Sequence, residues 1–128
     1  MKFTADTHCL VWYLTGNARL SPRGRRMFDE QSRSGEIVIS AVVVAELLYL
    51  SRKVSLPFSF DKTLALLKKE ERFEIHPLTV EIIETAVPLK HLEMHDALIV
   101  ATSLQLEIPL MTTDNEIINS GLVEVIRP

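Results

Sequence analysis

The 128-residue chain contains a single cysteine, Cys9. One thiol excludes an internal disulfide and any multi-cysteine zinc site, and it fits a reducing compartment, where Cys9 serves as a small buried filler. Long apolar runs are also missing. The most hydrophobic stretch, "IVISAVVVAELLYL" from Ile37 to Leu50, contains Glu46 and falls short of the ~18 residues that a membrane span needs. Lys2 and Asp6 stand where a secretory signal would require an unbroken apolar core, so a cytoplasmic protein with no membrane partner is expected. Nor is there an excess of positive charge. Lys and Arg number 14 against 17 Asp and Glu, a formal charge of -3, so contact with a polyanion has to come from a local basic patch. Internal repeats and low-complexity segments are absent as well.

What is present is an ordinary globular composition, 47% hydrophobic and 24% charged. The length suits one domain over residues 1–128, able to bury roughly two thirds of the surface its unfolded form exposes. Lys2 to Ala5 reads as a first strand and His8 to Leu14 as a short helix that is apolar on every side. "SPRGRR" opens an exposed helix with Ser21 at the N-cap and Pro22 in the first position, ending near Ser34 and Gly35. Ile37 to Ile39 is a second strand, Ser40 a cap, and Ala41 to Arg52 a helix whose basic end at Arg52 and Lys53 suits the helix dipole.

A loop carrying Pro57 follows, then an amphipathic helix over Phe60 to Glu71 with Leu64, Leu66 and Leu67 inward, and a third strand over Phe73 to His76. Thr79 to Val87 is a helix closed by Pro88, Asp96 to Leu106 a strongly apolar helix, and Leu110 to Thr112 a buried strand. One or two helical turns over Asn115 to Asn119 and a last strand over Val123 to Val125 complete the pattern. Short strands alternating with helices, without a hairpin signal, predict an α/β sandwich on a mostly parallel sheet. In open sheets of that kind ligands bind beyond the carboxyl ends of the strands, where the strand order reverses. Asp6 ends the first strand and Asp114 follows "PLMTT", so both point to that edge.

Several acids sit where surface acids do not. Glu46 has Val42, Val43, Tyr49 and Leu50 as its neighbours three and four positions away, an entirely apolar face, and an unpaired buried carboxylate costs several kcal/mol. Asp96 repeats the pattern with Leu92, Ile99 and Val100. Asp114 lies between a buried strand and a short helix, with Thr112 and Thr113 offering hydroxyls beside it. Helix capping accounts for Asp6, Asp96 or Asp114 taken singly, but the middle of a helix is no capping position for Glu46. If the four converge, their repulsion is tolerable only around a cation. A site of carboxylates, hydroxyls and water suits Mg²⁺ or Mn²⁺.

"ADTHCLVWYLTGNARLS", "ISAVVVAELLYL" and "DALIVATSLQLEIPLMTTD" resemble, in order and spacing, the blocks of the PIN domain, in particular the VapC-type toxins of toxin–antitoxin pairs, over essentially the whole chain. The resemblance implies a three-layer α/β/α sandwich with a small parallel sheet and Mg²⁺-dependent endoribonuclease activity. It also implies four metal-holding acids, which fall on Asp6, Glu46, Asp96 and Asp114, with Thr7 in the opening "DTH" and Thr112 two places before the last acid. Many members carry an Asp three residues before the third acid and an Arg straight after it; here Glu93 and Ala97 stand there, and Glu93 is a candidate fifth carboxylate. The expected chemistry is attack by water on a phosphodiester, leaving a 5′-phosphate and a 3′-hydroxyl, with no side chain as nucleophile.

RNA held by an acidic protein needs a basic contact, and Arg19, Arg23, Arg25 and Arg26 form the one dense cluster, read either as phosphate contacts or as a solvated helix face. The family resemblance further implies a homodimer and an antitoxin protein that blocks the acids, and the greasy segments "CLVWYL" and "LLYL" exceed the needs of one core. Two rivals stand beside this reading. One is a non-catalytic binding module that keeps the fold, for which an acid should be missing, and none is. The other is a zinc hydrolase on "HLEMH", with His91 and His95 spaced i, i+4; its Glu93 occupies neither position that the known zinc-helix patterns require.

Overall fold

The computed structural model describes residues 1–53 and 59–128, and the expected loop around Pro57 lies outside the described residues. Phe3–Ala5 (β1), Ile37–Ser40 (β2), Phe73–His76 (β3), Leu110–Met111 (β4) and Val125–Ile126 (β5) form one sheet in the order β3-β2-β1-β4-β5. Every pair is parallel, with Thr4 set against Val38 on one side and Leu110 on the other. Strands covered on both faces read as continuous apolar runs, and every residue of β1 and β2 is buried. Parallel neighbours require crossover connections. These are supplied by Thr7–Thr15 (α1), Pro22–Asp29 (α2), Ala41–Lys53 (α3), Phe60–Lys69 (α4), Val80–Ala86 (α5), Met94–Leu106 (α6) and Asn115–Ser120 (α7).

The chain steps outward from β1 to β3 and then returns to the other side of β1 for β4 and β5. Right-handed crossovers in opposite directions put helices on opposite faces, which makes the three-layer α/β/α arrangement and opens a crevice at the carboxyl ends of β1 and β4. Phe3, Leu10, Ile37, Ile39, Val43 and Ile99 fill the core between the layers. Cys9 is fully buried among them, and burial, reinforced by neighbouring Asp6, pushes its thiol far above the usual range, so it is inert filler as expected.

Some boundaries move. α2 ends at Asp29 rather than near Ser34, because the backbone N–H of Gln31 closes a tight turn on Phe28 O and the Gln31 side chain donates to Met27 O. Nor is α2 wholly exposed. Phe28 is fully buried, edge-on to Phe3 at 5.5 Å and stacked on Tyr13 at 4.2 Å. At Gly24 an added Cβ would meet Pro128 and Leu20 side-chain carbons at 2.6 and 2.7 Å, which is why the helix carries glycine there. α4 stops at Lys69, where Glu70 turns to extended backbone and pairs with Arg72 at 2.9 Å. α6 starts two residues earlier than expected, at Met94, and β5 two residues later, at Val125.

The greasy segments are also less exposed than their composition implies. Cys9, Leu10 and Leu47 are buried, Val11 to Leu14 are half-buried, and Tyr49 alone stands well out at 59% exposure. The larger apolar surface lies instead on and beside α5, at Leu78, Val80, Ile83 and Val87, with Met94 nearby.

Candidate functional site

Each acid is delivered by the end or the face of an element. Asp6 follows β1 directly; its Oδ1 accepts from Cys9 N at 2.9 Å, capping α1, and its Oδ2 accepts from Thr112 Oγ1 at 2.5 Å. Thr112 is completely buried just past β4, and its Oγ1 in turn accepts from Asp114 N at 3.0 Å. One hydroxyl thus ties the carboxyl ends of β1 and β4 together. Asp114 caps α7, both of its bonds, from Glu116 N at 2.8 Å and Ile117 N at 3.3 Å, falling on Oδ1.

Glu46 projects from the middle of α3, and its partner comes from 39 residues away: Thr7 Oγ1 donates to Oε1 at 2.6 Å. Asp96 stands in the first turn of α6 and is not its cap. Glu93 takes that role, its Oε2 accepting from His95 N at 2.9 Å and Asp96 N at 3.3 Å. The capping account therefore holds for Asp6 and Asp114 and fails for Asp96. Capping leaves lone pairs free, since each carboxylate oxygen can accept more than one bond.

Asp6, Glu46, Glu93, Asp96 and Asp114 line one cavity of about 290 Å³, together with Thr7, His8, Tyr49, Leu50 and Ile99. No Lys or Arg is among these lining residues. Among the described residues Asp6, Glu46, Asp96 and Asp114 form no ion pair, while Glu93 meets His95 Nδ1 at 3.2 Å. The electrostatic consequence falls on Asp96. Burial, and then the negative charges of Asp114, Glu93, Glu46 and Asp6, raise its carboxyl to about 6.

Among the described residues, no three His, Cys, Asp or Glu side chains already stand as a coordination shell. The carboxylates that line the cavity are nevertheless oxygen donors of the kind a hard ion such as Mg²⁺ or Mn²⁺ takes, one or two at a time with several waters retained, and His8 adds an imidazole to the same lining. The zinc-helix geometry does not exist. His91 lies in the turn before α6 and His95 within α6, so they share no helix face, and the Nδ1 of His95 is turned to Glu93.

Thr113 is exposed and does not line the cavity, so of the two neighbouring threonines only Thr112 supports the acids. Arg19, Arg23 and Arg26 are exposed, Arg25 lies 5.9 Å from the ring centre of Tyr13, and none of the four lines the cavity. His8 and Tyr49 were not among the expected site residues. The signal was their spacing: His8 is two residues past Asp6, and Tyr49 is three past Glu46 on the same helix face.

The double role of Thr112 has a measurable consequence. Thr112→Val keeps the shape but leaves the Asp114 N–H and a buried Asp6 oxygen without their partner, which should destabilise the fold by about 1–3 kcal/mol in urea denaturation. Thr112→Ser, which retains the hydroxyl, should recover most of that loss; equal destabilisation by the two variants would contradict the bridging role.

The sequence matches the PIN domain family over residues 4–120. Among curated protein sequences no match is found. Similar solved structures include a toxin–antitoxin complex from Klebsiella pneumoniae, 21% identical, with 99% of this chain and 98% of that one covered and a TM-score of 0.74. VapBC2 from Rickettsia felis, bound to a DNA fragment from its promoter, is 17% identical over 98% of both chains with a TM-score of 0.75. A sarcin–ricin loop cleaving VapC toxin from Mycobacterium tuberculosis is 20% identical over 99% of this chain and 100% of that one, with a TM-score of 0.68.

Proposed function

The chain belongs to the PIN domain family, and from that premise we propose that it is a divalent-metal-dependent endoribonuclease, the toxin half of a VapBC-type pair. The observation that carries this reading is the cavity of about 290 Å³ at the carboxyl ends of β1 and β4, lined by five carboxylates and, among the described residues, by no Lys or Arg. Carboxylates and a phosphodiester repel each other, and they share one cavity only with positive charge between them. In this reading Asp6 and Asp96 are the principal holders of Mg²⁺ or Mn²⁺, with Glu46 and Asp114 completing the set. When bound, such an ion supplies Lewis-acid stabilisation of charge on the phosphoryl oxygens and acidifies water.

The chain's own residues supply position. The Thr112 hydroxyl holds Asp6 against Asp114, the Thr7 hydroxyl holds Glu46, and Glu93 fixes the start of α6 so that Asp96 faces the same space. In this reading no side chain serves as nucleophile, and the Thr112 and Thr7 hydroxyls act only to hold carboxylates. The oxygen of water bonds to phosphorus and gives up one proton to a cavity carboxylate, the bond from phosphorus to the 3′ oxygen breaks, and the departing oxygen takes a proton from solvent, so that one water is added in all and a 3′-hydroxyl and a 5′-phosphate remain.

An antitoxin partner and a homodimer belong to the same proposal. Their support is the similarity to toxin–antitoxin complexes and the apolar side chains of Val80, Ile83, Val87 and Met94, each at least 46% exposed, of which Ile83, Val87 and Met94 line a largely apolar cavity of about 420 Å³ between α5 and α6. Treating residues 1–128 as one domain rests on the single sheet. A cytoplasmic location accords with the absence, among the described residues, of any helix long and apolar enough to cross a membrane. Arg19, Arg23 and Arg26 would meet RNA only beyond the cavity, along the strand.

Purified protein incubated with single-stranded RNA and Mg²⁺ should yield fragments with 5′-phosphates, and chelation should stop the reaction until metal is returned. Cleavage that persists in excess chelator, or no cleavage of any RNA with metal present, would overturn the assignment.

A further inference from the structure

The acid cavity has a neighbour. A second cavity of about 400 Å³ is lined by Ala45, Glu46, Tyr49 and His95, so Glu46 and Tyr49 are walls common to both. On the basis of the nuclease reading, we infer that this second cavity is a nucleobase subsite, in which the base adjoining the scissile phosphate stacks on the ring of Tyr49.

The two cavities differ in chemistry as the two parts of a nucleotide do. The first presents carboxylates and suits a phosphate accompanied by cations; the second presents an Ala45 methyl and the rings of Tyr49 and His95, with Glu46 at the boundary. One helix sets their separation, because Tyr49 follows Glu46 by three residues and shares its face. A phosphate and its own base are likewise adjacent, so a strand anchored at the acids brings a base to Tyr49 without stretching.

Tyr49 is 59% exposed, an unusual state for so large a ring beside a cavity, and stacking on a base would cover it. Lys53, one turn further along α3, places its ammonium 5.6 Å from the Tyr49 ring centre. There it can meet the next phosphate, which the acidic cavity cannot. Single-stranded RNA is bound in this way elsewhere: bases unstack and settle on aromatic side chains while nearby cations follow the backbone.

The test uses the full chain and an RNA that it cuts. Tyr49→Leu should raise KM roughly 5- to 100-fold, the range expected for losing one stacked base, with little change in kcat because substrate and transition state lose the contact equally. Tyr49→Phe should restore KM. An abasic nucleotide scanned past the cleavage site should raise the wild-type KM by a similar factor at one position, and there Tyr49→Leu should add no further loss. If Tyr49→Leu leaves KM unchanged while the wild type cuts, the subsite is refuted and the nuclease assignment stands. Unchanged KM with weakened antitoxin binding would make the cavity a protein contact instead. If the wild type cuts no RNA, both proposals fall.

Discussion

Replacing Asp96 by asparagine is expected to lower RNA cleavage at least 100-fold and, in the metal-free protein at pH 7, to raise stability by about 1 kcal/mol. The two effects have one cause. Asp96 faces four other carboxylates across the cavity, and burial together with their charges raises its carboxyl to about 6. A carboxyl raised above its unfolded value stabilises the fold fully at pH values below about 4 and ceases to do so as the pH climbs through about 6. At pH 7 the ionised group is therefore a liability without metal, and the neutral amide relieves it. Asp96 is half-exposed, so solvent screening reduces the full linkage value to the order of 1 kcal/mol. The same neutralisation removes a principal anionic donor from the proposed metal site. Urea denaturation with chelator, paired with single-turnover cleavage, checks both signs; a variant that is both less stable and fully active would contradict the account.

Metal should reverse that liability. The metal-free protein is expected to lose stability between about pH 4 and pH 7, and millimolar Mg²⁺ or Mn²⁺ at pH 7 should restore it. A ligand at 100 times its dissociation constant adds about 2.7 kcal/mol, which for a chain of this size corresponds to a rise in Tm on the order of 10 °C. Sodium at matched ionic strength should do far less, because screening does not place charge inside the cavity. Asp96→Asn should show a smaller metal-induced shift than the wild type. No shift with any divalent ion would leave the crowded carboxylates unexplained.

The sheet was legible because β1, β2 and β4 are buried on both faces and so read as short apolar runs between polar breaks. Glu46 was legible because a carboxylate in mid-helix among Val42, Val43, Tyr49 and Leu50 has no capping role to explain it. Thr7 and Thr112 were expected beside the acids, but which acid each one holds was not legible. The bonds from Thr7 to Glu46 and from Thr112 to Asp6 join residues 39 and 106 positions apart, and no local pattern announces them. The sequence offers Glu93 as a candidate fifth carboxylate, but its capping role depends on where α6 begins, two residues before the expected start. At α5 spacing alone does not tell the two faces apart. Val80, Ile83 and Val87 have the spacing of a core-facing stripe, yet Ile82 is the buried residue and the stripe faces outward.

The most direct test is a crystal grown with Mn²⁺ and measured at an anomalous wavelength. A peak inside the cavity between Asp6 and Asp96, about 2.2 Å from at least one carboxylate oxygen, is the expected result. An empty cavity at saturating Mn²⁺, or an ion held only elsewhere on the surface, would contradict it.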